Sequence, residues 1–362
     1  MVQDQTIDEN VITLEPFIHQ VGGRSTILVF GQTVCKPINP RELAFYETLP
    51  LQLKPFVPEY RGISEVLFNE SSDGYLTITA KPPNSLQPNS YREEDNSEQK
   101  AKYRIKLCKP NGDIDILIES NDKQLPHIDS NHIFEDGSHC NENDLPKIVS
   151  NSLTKPHNPW VLKTIKALKA SDNYQRRKFL LLENLTFKFK FPCILDLKMG
   201  VRQHDDFADE DKIQSHSLKV SKTTSGSLGL RITGVQIYNK TSDRFKCHNK
   251  YYGRTLTPEG FVNTLKAFLQ IENQPKVDLI RLMIQKLEDM LSVVENLDTF
   301  RFYTTSLLIL YEGNVDQISI NDTNLVDIRI IDFAHSTHQG MGDNTTDIDN
   351  SGPDRGSLVF GY

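Results

Sequence analysis

The sequence predicts an α+β protein of two lobes, and three observations carry that prediction. The chain has 362 residues, more than one hydrophobic core usually organises, so two lobes with room for a cleft between them are expected. Short apolar runs bounded by turn residues alternate with segments whose apolar residues recur at helical spacing, the mixture from which sheet-plus-helix folds are built. Finally, the stretch Pro192-Cys-Ile-Leu-Asp-Leu-Lys-Met-Gly200 puts an apolar run, a carboxylate, an amine and a glycine together. Ile194, Leu195, Leu197 and Met199 read as a short buried strand closed by Gly200, on which Asp196 and Lys198 leave the same face. Such residues form either an ion pair on a half-buried strand or an acid and a base aimed into one cleft, and the stretch alone leaves both readings open.

The elements follow in order. Residues 25–30 and 33–36 read as two strands joined by a tight turn at Gly31-Gln32, and residues 40–50 as a short helix with proline at its start and at its end. Between about 66 and 156, strands at 75–79, 103–107 and 114–118 are expected to extend the first lobe's sheet. The segments 81–100 and 120–152 have the Asn, Ser, Pro, Asp and Glu content of mobile loops, and no chemistry is assigned to them. Residues 158–170 have helical spacing, and residues 178–185 read as a buried strand ending in a polar pivot between the lobes. A short helix near 209–222, a strand at 228–238 and a capped helix at 257–269 come next. In a long helix at 275–297, Ile280, Met283, Leu287, Met290 or Leu291, Val294 and Leu297 form the core stripe, and strands at 301–311 and 327–332 close the chain.

Composition narrows the function classes. A hydrophobic content of 37% and a charged content of 25% are those of a soluble globular protein. No run of about 18 apolar residues is present, which excludes membrane insertion by a helix, and Met-Val-Gln-Asp-Gln lacks the basic and apolar regions of a secretion signal. A cytoplasmic or nuclear protein is expected. Five cysteines with no C-x-x-C pair suggest reduced thiols rather than a disulfide framework or a zinc site. The formal charge of −7 is unevenly spread: residues 65–145 carry sixteen Asp or Glu against eight Lys or Arg, whereas residues 212–254 carry nine Lys or Arg against Asp243 alone. One concentrated basic segment in an acidic chain points to a local anion site and away from nucleic acid. Within it Lys212, Ser215, His216, Lys219 and Lys222 recur at intervals of three and four, on neighbouring parts of one helical surface that is either a solvated face or a binding face.

Four stretches together resemble one family. Pro192 to Gly200 resembles the P-x-x-x-D-x-K-x-G signature of the inositol polyphosphate kinases, and Leu228 to Tyr238 resembles the strand after that family's substrate helix. Thr305-Ser306-Leu307-Leu308 resembles its Ser-Ser-Leu-Leu box, with a threonine that keeps the first hydroxyl, and Ile331-Asp332-Phe333-Ala334-His335 its I-D-F-x-H metal motif. The wording of Leu180 to Asn184 and of Asp196 to His204 is similar to the inositol hexakisphosphate kinase branch. Resemblance covers about residues 20–62 and 157–361, and the chain stops at Tyr362 where family members usually continue into another helix.

The resemblance implies a two-lobed kinase-like fold, with an N-lobe at 1–185 that carries a partly disordered acidic insertion at about 66–156. It implies a C-lobe at 186–362 with a helical substrate-binding insertion at about 201–227. ATP and Mg²⁺ are the implied cofactors and soluble inositol phosphates the implied partners, protein partners staying unknown. Lys36 is implied on the α- and β-phosphates with Glu42 orienting it, as in other kinases. Backbone groups at Glu183 to Leu185 are implied on adenine, Asp196 on the ribose hydroxyls, Ser306 in the nucleotide site and Asp332 on the metal. Lys198 would face the transferred phosphoryl group, with Arg202, Lys212, His216, Lys219, Lys222 and His335 around the substrate. The expected reaction converts inositol hexakisphosphate to a pyrophosphate; a multikinase or trisphosphate 3-kinase acting on ring hydroxyls is the alternative. A catalytically silent inositol-phosphate receptor would need none of Lys36, Asp196, Lys198 and Asp332. A protein kinase is disfavoured because H-R-D and the glycine-rich loop are missing.

Overall fold

A computed structural model describes residues 11–23, 25–86, 103–108, 115–120, 127–129, 159–169, 175–205, 208–271, 274–314, 323–339 and 341. The strands are β1 (Ile12–Thr13), β2 (Glu15–Pro16), β3 (Leu28–Phe30), β4 (Thr33–Pro37), β5 (Tyr60–Glu70), β6 (Tyr75–Ala80), β7 (Tyr103–Cys108), β8 (Asp115–Ser120) and β9 (His127–Asp129). They continue as β10 (Arg176–Glu183), β11 (Pro192–Met199), β12 (Leu230–Asn239), β13 (Arg244–Asn249), β14 (Gln270–Ile271), β15 (Gln274–Pro275), β16 (Ser306–Glu312) and β17 (Val326–Ile331). The helices are α1 (Pro40–Glu47), α2 (Pro159–Lys169), α3 (Glu210–Ser221), α4 (Thr224–Leu228), α5 (Lys250–Thr255), α6 (Pro258–Phe268) and α7 (Val277–Val294).

Among the described residues the strands form two large sheets, which makes the chain α+β as its sequence predicts. The first runs β2-β3-β4-β10-β5-β6-β7-β8 with β1 on β6, and the second runs β17-β16-β11-β12-β13-β9. β10, between β4 and β5 in the first sheet, ends at Glu183, and β11 of the second begins at Pro192, so residues 184–191 link the two sheets. β11 is central in the second sheet, paired with β12 through Asp196↔Gly234 and with β16 through Asp196↔Leu308. That placement explains why its apolar run is nearly continuous rather than alternating.

Local chemistry sets the helix starts. The Asn39 side chain accepts from the amides of Arg41 at 3.0 Å and Glu42 at 3.2 Å, and Pro40 occupies the first turn of α1. At α3, the Asp209 carboxylate accepts from the Lys212 amide at 2.7 Å, with Glu210 and Asp211 in the first turn and Lys219 in the last, the polarity a helix dipole favours. The main core packs Leu195, Leu197 and Met199 of β11 against Phe45 of α1, Met283 and Met290 of α7, and Phe333. Phe45 and Phe333 stack with centroids 4.2 Å apart and planes 7° from parallel, which fixes α1 to the turn after β17.

Several expectations are corrected. β5 is an eleven-residue strand crossing the boundary placed at 66; Ser64, Val66 and Phe68 alternate inward, a period the acidic composition beyond them obscured. β9, inside a stretch expected to be mobile loop, pairs in parallel with β13 through Arg244↔His127 and joins the second sheet. Of the segments 81–100 and 120–152, all but 81–86, Ser120 and 127–129 lie outside the described residues. β12 starts at Leu230 because Leu228 still belongs to α4, which Gly229 caps at φ 66°. β16 starts only at Ser306, since Arg301 bridges to Thr337 and Thr304 turns left-handed at φ 56°. In α7 the buried stripe is Leu279, Leu282, Met283, Met290 and Val294, one step round from the Ile280 and Leu287 expected. β13 and α5 went unpredicted. Among the described residues no helix is long and apolar enough to cross a membrane.

Candidate active site

Lys36 stands on β4, opposite Leu180 of β10. Its Nζ donates to Glu42 Oε1 at 2.8 Å and to Asp332 Oδ1 at 2.6 Å, so one ammonium joins the first sheet, α1 and the end of the second sheet. Glu42 is buried, and the same Oε1 accepts from the Phe333 amide at 3.3 Å. Burial pulls the Lys36 pKa down, but the charges and hydrogen bonds of Asp332 and Glu42 outweigh it and hold the value above that of an ordinary lysine. Burial likewise pushes Asp332 up, and Lys36 and Lys198 together hold it below the usual carboxylate range. Lys36 and Asp332 are both charged at neutral pH.

Two backbone conformations near this cluster are uncommon for residues with a side chain. Asp332 has φ 67° and Thr304 has φ 56°, left-handed values that cost an L-residue about 1–2 kcal/mol. The Thr304 carbonyl accepts from Lys198 Nζ at 2.6 Å, so Lys198 reaches across to the chain before β16 and makes no ion pair with Asp196. Of the two readings left open for this strand, the direct ion pair is absent. Burial lowers the Lys198 pKa while Asp332 and Asp196 raise it, and burial wins. Asp196 is also buried; desolvation first, and the charge of Asp332 second, push its carboxyl up to about 6. Its Oδ1 is buried with no hydrogen-bond partner among the described residues. A Cβ added at Gly22 would sit 3.0 Å from Asp196 Oδ2, a contact that would push the carboxylate aside, so glycine suits this close approach.

The segment joining the sheets holds the next candidates. The Glu183 amide donates to Glu59 O at 2.9 Å and the Asn184 amide to Gln32 O at 2.8 Å, while the Leu185 amide has no partner among the described residues. The Glu183 carboxylate accepts from the Glu59 amide at 3.2 Å and lies 3.7 Å from Arg329. Ser306 is buried opposite Lys198 on β16, where its hydroxyl works against the rise in the Asp196 pKa.

The basic helix is organised by contacts that local sequence does not reveal. His216 Nδ1 donates to the Gln203 carbonyl, and Lys219, Lys212 and His335 all lie within electrostatic reach of its ring. Lys212, His216, Lys219 and His335 therefore share one region. Lys222 caps the end of α3 and makes no contact with that group, and the Arg202 guanidinium packs 4.5 Å over the Tyr303 ring. Below the helix, Arg231 on β12 donates to Gln203 Oε1 at 3.2 Å, Thr223 Oγ1 at 3.2 Å and Ser225 Oγ at 3.3 Å. Burial and the charge of Arg254 draw the Arg231 pKa down to about 10. Arg231, Gln203, Thr304 and Asp205, whose carboxylate meets His335, are site residues that the sequence reading missed. Only tertiary contact links them, and the basic count over 212–254 flagged Arg231 without a role.

Among the described residues no three His, Cys, Asp or Glu side chains cluster closely enough to hold a metal ion alone. A hard divalent cation commonly takes one or two carboxylates together with water and substrate phosphates. Asp332 fits that demand: its Oδ1 is on Lys36, and its side chain is 38% exposed. The unpartnered Oδ1 of Asp196, within electrostatic reach of Asp332, fits it as a second oxygen.

Residues 179–360 match the family model for inositol polyphosphate kinase. Inositol hexakisphosphate kinase 1 of Rattus norvegicus is 35% identical over 97% of this chain and 91% of its own length. Inositol hexakisphosphate kinase 3 of Mus musculus is 36% identical over 97% of this chain and 92% of its own. A solved structure, the inositol phosphate multikinase Ipk2 of S. cerevisiae in complex with ADP and Mn²⁺, is 28% identical over 45% of this chain and 74% of its own, with a TM-score of 0.39. With the family model spanning half the sequence and these relatives spanning nearly all of it, the chain belongs to the inositol polyphosphate kinase family.

Proposed function

We propose that this chain transfers the γ-phosphoryl group of ATP to inositol hexakisphosphate, giving a diphosphoinositol pentakisphosphate and ADP. A phosphate oxygen of the acceptor forms the new bond to the γ-phosphorus, the bond to the bridging oxygen breaks, and ADP leaves with its electron pair. The observation that carries this is the Lys36 ammonium held at 2.8 Å from Glu42 and 2.6 Å from Asp332, beside the strand of Asp196 and Lys198 and near the cations of α3. The relatives at 35% and 36% identity support the choice of acceptor.

Bound Mg²⁺ and ATP supply the phosphoryl group and neutralise charge between its phosphates. The protein's part is positioning and electrostatics. Glu42 holds Lys36 toward the α- and β-phosphates; Asp332, with Asp196 beside it, takes the metal side, and Asp196 also meets the ribose. The Glu183 carbonyl and the Leu185 amide bond adenine, with Ser306 behind Asp196. The glycine pair Gly22-Gly23 serves as the backbone element over the phosphates: a Cβ at Gly22 would sit 3.0 Å from Asp196 Oδ2, and Gly23 has φ 87°. Lys198, Lys212, His216, Lys219 and His335 receive the acceptor, whose six phosphates carry about −9 to −12 charges, and Arg202 and Lys222 form the rim. In this reading residues 1–185 form one lobe, apart from β9, which joins the second sheet, with an acidic insertion that begins after β5, residues 186–362 form the other with a helical insertion at about 201–227, and a water-soluble polyanionic substrate suits work in the cytoplasm or nucleus.

The test is incubation with ATP, Mg²⁺ and a panel of inositol phosphates, read by mass. Gain of one phosphate by the hexakisphosphate supports the reading. If tetrakis- and pentakisphosphates gain phosphate while the hexakisphosphate stays unmodified at saturating ATP, the chain is a multikinase instead.

A further inference from the structure

Asp205 is buried, belongs to no regular element, and contacts residues far away in the chain. Its Oδ2 lies 2.7 Å from His335 Nδ1 and 3.6 Å from Arg41 Nη1. His335 is three residues beyond Asp332, in the turn where the Ser336 amide donates to Phe333 O. Arg41 precedes Glu42 in the first turn of α1. Burial drives the Asp205 carboxyl up, but the hydrogen bond and charge of His335, then Lys212 and Arg41, bring it below its ordinary value. An ionised carboxylate only accepts hydrogen bonds, so the proton of this contact sits on Nδ1 of the ring.

We infer that Asp205 is a positioning residue for the transfer: it locks His335 with Nδ1 protonated, leaving Nε2 as the ring nitrogen that meets the acceptor, and through Arg41 it ties that histidine to the helix bearing Glu42. This rests on the proposed function for what His335 meets, but not for the lock itself. Three observations converge on it. The carboxylate is buried against the ring, the His335 side chain stays 31% exposed and so keeps an edge for a ligand, and His335 lies within electrostatic reach of His216, whose ring Lys219 and Lys212 also face. An imidazole held this way offers Nε2–H to a phosphate oxygen when protonated and a lone pair to a hydroxyl when neutral, so the lock serves either acceptor. Free imidazole in water has no such fixed choice of nitrogen, and loss of a carboxylate that orients a metal-bound histidine typically costs about 10- to 100-fold in affinity or activity.

The test reads the ring directly. In protein labelled with ¹⁵N-histidine, with His335 assigned by His335→Gln, the nitrogen shifts of the neutral ring should place its proton on Nδ1. Asp205→Ala should release the neutral ring to the Nε2–H form and lower kcat/KM for the hexakisphosphate about 10- to 100-fold. Asp205→Glu, which keeps a carboxylate able to accept from Nδ1, should retain more activity than Asp205→Ala, the two variants being compared at temperatures where both are folded. A neutral wild-type ring protonated on Nε2, or Asp205→Ala turnover equal to wild type, overturns the inference. Wild-type protein that phosphorylates no inositol phosphate removes the proposed function and the role in turnover, while the tautomer result still decides the lock.

Discussion

Asp196→Asn separates what the site needs from what the fold prefers. The Asp196 carboxyl is buried, and desolvation with the neighbouring charge of Asp332 pushes it from 3.8 up to about 6. A carboxyl whose folded pKa is raised destabilises the native state: the penalty is absent below the unfolded pKa, grows as pH rises toward the folded value, and is complete above it. At about 1.4 kcal/mol per unit, the penalty is about 1 kcal/mol at pH 4.5 and about 3 kcal/mol at pH 8. Asparagine keeps the shape and never ionises, so any packing cost of the exchange is the same at both pH values and the difference between them is the electrostatic part. With an unfolding entropy of about 2.1 cal/mol/K per residue, the variant should gain about 3 °C in melting temperature over wild type between pH 4.5 and pH 8. Thermal melts of both proteins at the two pH values, in the same buffers and without nucleotide, measure this directly. A melting difference that is flat or shrinks as pH rises refutes the reasoning, because the buried charge would then carry no penalty. Turnover should move the other way: the more stable variant is expected to lose about 100-fold or more in kcat, the loss typical when a preorganised charge is removed from a site.

Asp332→Ala should fold like wild type, since its side chain is 38% exposed, yet retain less than about a tenth of wild-type turnover, metal and lysine clamps being worth orders of magnitude; circular dichroism with a coupled ADP assay checks both halves. Lys219→Ala should raise KM for the hexakisphosphate more than it lowers kcat, the signature of lost ground-state binding, and the effect should shrink at high salt; initial-rate kinetics at two ionic strengths decide it. Gly253→Ala would put a methyl group 1.8 Å from the Ile232 carbonyl oxygen, where α5 lies on β12. A loss of about 2 kcal/mol or more is expected in urea unfolding, and a neutral result would mean that α5 does not dock as described.

How much of this was legible in the sequence depends on the distance over which each signal acts. The α+β class, α1 with its asparagine and proline start, α3 with its acidic first turn, and β11 with its apolar run are written in residues next to one another, and the fold carries them where the pattern puts them. β5 escaped because the acidic composition beyond Val66 masked a period-two strand, and β9 because three residues hold no period at all; sheet position, not propensity, makes it a strand. At the site, the sequence by itself marked Lys36, Glu42, Asp196, Lys198 and Asp332 as residues of the right chemistry. Only the tertiary structure decided that the Lys36 ammonium, held by Glu42, reaches Asp332 across 296 positions, that Lys198 turns to the Thr304 carbonyl instead of to Asp196, and that Asp205 finds His335 across 130. The physical reason is that hydrogen bonds, ion pairs and desolvation depend on spatial proximity, and neither residue type nor spacing along a strand or helix encodes which distant backbone turns left-handed to bring a carbonyl or a carboxylate into reach.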